Sequence, residues 1–274
     1  MTDSVFDIKD KIVVVTGGMG QLGQQFIKIL LDNCARVAAL DLLVGKVPLN
    51  EQLKKYEKED KLLLIQADVT SRKSLEHALI KIQNKWKKSP YGLINNAALD
   101  SPPSDNVDET GPFELFPEQS WDRVMDVNVK GVFLACQVFG KAMAESGSGS
   151  IINIGSTYGS VSPNHSIYEY KTENGGDPFY KPVAYSASKS ALVNLTKYIA
   201  VYWAKSGVRV NLMSLGGVFN NQDDKFLKGY CAKVPMGRMA KEDEYNGTVV
   251  YLISNASSYV TGTTIMLDGG WTAW

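Results

Sequence analysis

The chain has 274 residues, 44% of them hydrophobic, and balances 29 basic against 29 acidic side chains. This much apolar material can build one sizeable core, while a neutral chain lacks the electrostatic footprint for nucleic acid or an anionic membrane. The acidic, polar start is unlike a signal peptide, and the apolar runs at 62–65 and 132–136 are far too short to span a bilayer, so a cytoplasmic protein is expected.

In chain order, β-branched runs alternate with helical patterns. Residues 11–16 (KIVVVT) predict a first strand. A helix over 21–32 follows, with Leu22, Phe26, Ile27 and Leu30 on one face. Strands are predicted over 35–41 and 61–68. Residues 71–86 read as an amphipathic helix with Leu75, Ala78, Ile82 and Trp86 at helical spacing. A fourth strand is predicted over 91–95, a long helix over 121–144 and a fifth strand over 150–155. A polar stretch, 160–182, interrupts the pattern before a helix over 185–205. Strands over 208–214 and 264–268 complete the series.

Repeated β-α-β units with continuous apolar strands imply a parallel sheet covered on both faces. Right-handed crossovers then make it doubly wound. No linker divides the chain, so residues 1–274 are read as a single α/β Rossmann-fold domain of about seven strands, with a polar insertion around 160–182. Cys34, Cys136 and Cys231 are far apart and form no CxxC pair, which predicts buried reduced thiols. His77 and His165 have no clustered cysteines beside them, so no metal site is expected.

The first strand runs into Thr16-Gly17-Gly18-Met19-Gly20-Gln21-Leu22-Gly23, which contains GxGxxG at Gly18, Gly20 and Gly23. Glycines allow a tight turn and a close approach of backbone to a pyrophosphate, which sits at the positive end of the next helix. The position between a strand and a helix is the context this motif requires. Asp41 ends the second strand, 18 residues past Gly23, as expected of the carboxylate that binds the ribose hydroxyls of NAD. Leu42 follows it and no arginine is adjacent, which predicts NAD rather than its 2′-phosphorylated form. By spacing, Asp68 either touches the adenine or caps the following helix.

With these residues in view, the chain resembles the short-chain dehydrogenase/reductase family over nearly its whole length. The resemblance rests on segments in family order. They are the glycine loop, Asp41, Asp68-Val69, Asn95-Asn96-Ala97-Ala98, Asn128-Val129-Lys130-Gly131, Gly155-Ser156, Tyr185-Ser186-Ala187-Ser188-Lys189, Arg209-Val210-Asn211 and Asp268-Gly269-Gly270. It implies a catalytic tetrad of Asn128, Ser156, Tyr185 and Lys189, and NAD contacts from Gly17, Gly18, Gly20, Gln21, Leu22, Gly23, Asp41, Asp68, Val69, Asn96, Ala97, Lys189, Gly216 and Val218. The chemistry is consistent: Tyr185 and Lys189 are four apart and share a helix face. A nearby ammonium and a positive nicotinamide ring would favour the phenolate, whose ordinary pKa of about 10 is too high for a base near neutrality. Ser156 would hold the substrate oxygen, and Asn128 would support a water linking Lys189 to solvent.

The chain also departs from the family's compact branch. Gln21 replaces a glycine, Ser156 and Tyr185 stand 29 residues apart, Leu215 replaces a proline, and Asn220 stands where many members have a threonine. Thr16-Gly17-x-x-Gly20-x-x-Gly23 and Ser156-Thr157-Tyr158-Gly159 match the extended branch, which acts largely on nucleotide sugars. The tail resembles members from bacterial surface-glycan pathways, such as those for legionaminic-acid-type sugars.

The leading expectation is a dehydrogenase or ketoreductase for a sugar-like, phosphorylated or nucleotide-linked substrate. The stretch 160–182 carries His165, Tyr168, Tyr170, Lys171, Tyr180 and Lys181, which suit a hydroxyl-rich ligand with an anionic group. Its plainer reading is a solvated loop or an oligomer contact. The alternatives are a nucleotide-sugar epimerase or dehydratase, and a catalytically silent NAD-binding regulator. Only about sixty residues follow Ser214, too few for the usual substrate domain of the former, and silent relatives tend to lack Tyr185 or Lys189. Apolar residues on more than one side of helices 121–144 and 185–205 predict a homotetramer or homodimer, as these helices pair across a two-fold axis in the resembling family.

Overall fold

The computed structural model describes residues 4–49, 51–100 and 107–274, with backbone only at 107, 108 and 174. Part of the acidic amino-terminal stretch and the Asn174 side chain of the insertion therefore lie outside the described residues.

Strand β1 (Ile12–Thr16) leads into helix α1 (Gln21–Asp32), strand β2 (Arg36–Asp41), helix α2 (Glu51–Lys58), strand β3 (Leu62–Gln66), helix α3 (Arg72–Trp86) and strand β4 (Gly92–Asn95). Short helix α4 (Val107–Thr110) precedes a continuous helical rod over 118–145, comprising α5 (Glu118–Met125), α6 (Val132–Ala135) and α7 (Lys141–Glu145). Strand β5 (Gly149–Ser156), helix α8 (Val183–Trp203), strand β6 (Val208–Leu215), helices α9 (Asp224–Cys231) and α10 (Asn246–Ile253), and strand β7 (Thr264–Leu267) complete the fold.

The seven strands form one parallel sheet in the order β3-β2-β1-β4-β5-β6-β7. Successive residues of β1 serve opposite layers, as strand geometry requires. Val14 packs with Leu75, Ile82, Phe139 and Leu192 on one face. Val13 and Val15 pack with Phe26, Ile27, Leu30 and Leu252 on the other. Burial on both faces removes the polar alternation of a half-exposed sheet, and the sequence accordingly reads as solid β-branched runs. After β3 the chain returns to the far side of β1 as β4, so the order reverses between those two strands. A crevice opens at their carboxyl ends, where ligands of such sheets bind.

Three findings refine the sequence reading. The rod over 118–145 is not a uniform α-helix: it contains π-helical turns at Asp126–Gly131 and Cys136–Gly140. Helices α2, α9 and α10 lie where no helix was predicted. Each has eight residues, and the apolar sequence of α10 (NGTVVYLI) has no helical periodicity to betray it; packing on the sheet beside α1 selects its conformation. The 160–182 insertion is largely exposed, but it is anchored to the fold. Its 3₁₀ segment His165–Gly175 and the residues after it bury Ile167, Tyr168 and Phe179 against Phe226, Tyr230, Val234, Met239 and Trp271.

Helix α8 turns Leu192 and Ile199 inward but leaves Tyr198, Val201 and Tyr202 at 68%, 81% and 68% exposure. On the neighbouring rod Val132, Leu134 and Val138 are buried, whereas Phe133 is exposed. Among the described residues no helix is long and apolar enough to cross a membrane.

Candidate active site

The glycine loop closes the carboxyl end of β1. Gly17 has φ +65°, and a side chain there would place its Cβ 2.8 Å from Ala97 Cα. At Gly23 a Cβ would lie 2.1 Å from the Gly17 carbonyl oxygen. These two positions let β1, the loop and α1 pack backbone to backbone. Asn96 locks the contact from β4: its amide donates to the carbonyls of Thr16 (3.1 Å) and Gly17 (3.0 Å), while Thr16 Oγ1 accepts from the Asn96 and Ala97 N–H groups (3.1 Å each). Gly18 is packed against Ala39 and Ile27. Gly20 is the N-cap of α1, and no side chain caps that first turn. The uncapped N–H groups of the turn suit an anion such as a pyrophosphate.

Asp41 accepts hydrogen bonds from the N–H groups of Met19 and Leu43, each 2.9 Å, and so ties the end of β2 to the loop. Asp68 accepts from the Thr70 N–H (2.8 Å) and hydroxyl (2.7 Å). It does not cap α3; Ser71 does, accepting from the Ser74 N–H. Val69 packs against Gly131, whose Cβ would lie 2.9 Å from Val69 Cγ2. Gln21, the departure from the glycine pattern, uses its amide to reach across to the Phe219 carbonyl (3.2 Å) and Glu242 (3.3 Å).

A cavity of about 340 Å³ opens beside this loop. It brings together Ser156 from the end of β5, Tyr185 and Lys189 from α8, Gln21 and Leu22 from α1, Asn96, and Gly216 and Val218 from the segment after β6. Lys189 Nζ donates to the Ile154 carbonyl (2.8 Å) and lies 5.7 Å from the Tyr185 ring centroid. Asn128 does not line the cavity. It sits in the first π-helical turn with its amide committed: it donates to the Leu99 carbonyl and the Ser188 hydroxyl (3.0 Å each) and accepts from the Leu99 N–H (2.7 Å). It thereby fastens the segment after β4 to α8. Gly216 allows β6 to run against Asp268, whose Cα would be 2.8 Å from a Cβ there. A larger hollow of about 510 Å³ lies beyond Gly216 and Gly217, but neither Ser156, Tyr185 nor Lys189 borders it.

Burial dominates the electrostatics. It pushes the Tyr185 phenol well above its ordinary value, the Asp100 carboxylate adds to this, and a hydrogen bond from Ser156 works against it. This reverses the expected lowering by Lys189, whose ammonium is directed at the Ile154 carbonyl. Burial also holds the Lys189 ammonium down, to about 8.

The structure also shows residues the sequence reading passed over. Asp100 lines the cavity, as do Tyr230, Gln222 and Met239, beside Tyr158 of the Ser156-Thr157-Tyr158-Gly159 motif. Asp100 lies in an irregular segment with no periodicity to mark it. The aromatic residues come from the insertion side and from α9, and no local pattern signals that they converge. Behind the site a buried chain of amides crosses the sheet: Asn95 donates to Asn153 (2.8 Å), which donates to Thr196 (2.9 Å).

A doubly wound sheet with a glycine turn at its switch point and a carboxylate ending the next strand defines the dinucleotide-binding class of Rossmann proteins. A sequence model described as enoyl-(acyl carrier protein) reductase, of the short-chain alcohol dehydrogenase type, matches residues 22–272. An NAD-dependent glycerol dehydrogenase of Listeria innocua is 28% identical over 98% of this chain and 97% of its own. A post-translational flagellin modification protein A of Campylobacter coli is 27% identical over 96% of this chain and 99% of its own. A short-chain dehydrogenase of Leptospira borgpetersenii, solved with bound NAD+, superposes with a TM-score of 0.84 at 33% identity, covering 99% of this chain and 96% of its own. The chain belongs to the short-chain dehydrogenase/reductase family, a family of oxidoreductases.

The buried lysine has a measurable consequence. Its folded-state pKa of about 8 lies below the ordinary 10.5. Between these values the unfolded chain binds more protons than the folded one, so stability rises with pH; below about 8 the burial cost is present in full. Lys189→Met removes the titration. The wild type should therefore gain about 2–3 kcal/mol on this variant between pH 8 and pH 10.5, read by urea unfolding across that range. A difference independent of pH would contradict the buried ammonium.

Proposed function

We propose that the protein is an NAD-dependent dehydrogenase or reductase acting on a hydroxyl or keto group of a polyhydroxy, sugar-like substrate. The observation that carries this reading is the meeting of Ser156, Tyr185 and Lys189 in one cavity beside the glycine loop. The loop residues Gly17, Gly18, Gly20, Gln21, Leu22 and Gly23 would cradle the pyrophosphate, with Asp41 at the ribose and Asp68, Val69, Asn96, Ala97, Gly216 and Val218 along the rest of NAD. The nicotinamide supplies or accepts the hydride when bound.

In this reading Ser156 holds the substrate oxygen through its hydroxyl. Tyr185 takes the hydroxyl proton during oxidation and returns one to the oxygen during reduction. Burial raises the Tyr185 phenol, so the phenolate would need the positive nicotinamide ring, when bound, together with the Lys189 ammonium to offset that burial. Asn128 is a positioning residue, through Leu99 and Ser188, and its role in a water path to Lys189 belongs to the proposal. The epimerase and dehydratase reading is weaker because the chain between β6 and β7 forms only short helices, α9 and α10 among them, before it returns to the sheet. A role in surface-glycan assembly is a narrower reading, favoured by the flagellin-modification relative. A cytoplasmic location suits the three free cysteines.

Three outcomes test this. Tyr185→Phe keeps the ring in its buried place and removes the proton carrier, so turnover should fall at least a hundredfold with NAD binding retained by calorimetry; near wild-type turnover would reject the assignment. Asp41 has no arginine beside it and would repel a 2′-phosphate, so kcat/KM should favour NAD(H), and Asp41→Ala should narrow the gap; equal use of NADP(H) by the wild type would reject it. We also propose a homodimer or homotetramer formed over Phe133, Tyr198, Val201 and Tyr202. Light scattering at micromolar concentration should report it, and Val201→Glu should weaken it; a monomeric wild type would refute the association.

A further inference from the structure

The cavity that holds Tyr185 also holds a charged pair. Lys181 Nζ lies 2.5 Å from Asp100 Oδ1 and 4.9 Å from the centroid of the Tyr185 ring. The lysine side chain is only 8% exposed, the aspartate 54%. Both residues line the cavity with Ser156 and Tyr158. The ammonium arrives from the residues just before α8, and the carboxylate from the segment after β4.

We propose that the Asp100–Lys181 pair selects the substrate by charge, admitting neutral polyols and ketoses and rejecting sugar acids and sugar phosphates of similar size. This rests on the dehydrogenase reading above and narrows its substrate class.

An ammonium this buried is costly unless a partner balances it, and Asp100 does so. The balanced pair presents a donor and an acceptor side by side. An ammonium has three N–H donors, and a carboxylate accepts at both oxygens. A vicinal diol has the complementary groups: one hydroxyl donates to Asp100 while its neighbour accepts from Lys181, and the ion pair stays intact. A substrate carboxylate or phosphate would instead share one ammonium with Asp100, which places two anions close together in a partly desolvated site. The charge on Lys181 would attract such a group if Asp100 did not already answer it. Asp100 therefore sets the sign of the selection. The other lysine of the cavity, Lys189, is directed at the Ile154 carbonyl. The remaining walls mix neutral polar groups, Asn220 and Gln222 among them, with apolar ones such as Phe226 and Met239, and none of these adds a charge to welcome an anion. Lys181 thus acts here as half of a diol clamp and not as the phosphate receptor its charge suggests in the sequence.

The test is a matched panel of full-length enzyme with NAD+ or NADH. Threitol is compared with threonate, arabinitol with arabinonate, and a ketose with the ketoaldonate of equal length. The wild type should favour the neutral member of each pair at least tenfold in kcat/KM. Asp100→Asn keeps size and hydrogen bonding but removes the charge, and it should cut that ratio at least tenfold by lowering KM for the acids. Lys181→Gln should raise KM for the neutral substrates about tenfold without improving the acids. Because the readout is a ratio within one enzyme, a general loss of folding does not imitate it, and Asp100→Ser serves as a second variant if Asp100→Asn fails to fold. Equal or better use of the acids by the wild type overturns the proposal, as does a ratio unchanged in the Asp100 variants. Those failures leave the dehydrogenase reading standing. Absence of turnover with every polyhydroxy substrate rejects that reading, and this inference with it.

Discussion

The contact between the ends of β1 and β4 organises this molecule. Asn96 holds the Thr16 and Gly17 carbonyls from one side, and Thr16 Oγ1 holds the Asn96 and Ala97 N–H groups in return. The contact is possible because Gly17 carries no Cβ to strike Ala97. It ties together two strands that are far apart in sequence and flank the reversal of strand order. The glycine turn, the start of α1 and the segment carrying Leu99 and Asp100 all leave from this junction. Asn128 extends the same fastening to α8, through Leu99 on one side and Ser188 on the other. A shift at the junction would therefore move both the loop proposed to hold the cofactor and the helix that carries Tyr185.

The site is built against the preferences of its own groups. Tyr185, Lys189 and Lys181 are polar or charged side chains taken largely out of water. Each burial is offset locally: Ser156 on the phenol, the Ile154 carbonyl on one ammonium, Asp100 on the other. Perturbed groups of this kind gather at functional sites. The same carboxylate that steadies Lys181 raises the Tyr185 phenol, so the ion pair and the phenol are electrostatically linked in this pocket.

The insertion is where local reading was incomplete: it reaches the cavity through Tyr168 and Lys181, but its anchoring was not legible. Its polar composition suggested either a ligand-binding loop or a solvated one. In the fold it is anchored by an aromatic cluster in which Tyr168 stacks on Phe226, and Tyr230 on Trp271. Tyr170 donates to Asp223 at 2.7 Å, which joins the insertion to the cap of α9. Most of its described polar residues are exposed and Lys181 reaches the cavity, while a few aromatic ones supply the packing. The spacing of Ile167, Tyr168 and Phe179 has neither the period of a helix nor that of a strand, so no local pattern could mark them as core.

The sequence by itself determined the strands, the order of β-α-β units and the glycine turn, because burial on both faces demands unbroken β-branched runs and a close backbone approach demands glycine. It likewise singled out Ser156, Tyr185 and Lys189, through family order and through the four-residue spacing that puts two of them on one helix face, and the fold brings these three to one cavity. The tertiary structure alone decided the short helices α2 and α10, the π-helical turns around Asn128, and the pairing of Asp100 with Lys181. Eight residues carry too little periodicity to declare a helix, and a charged side chain in an irregular segment finds its partner only when distant parts of the chain are folded against each other.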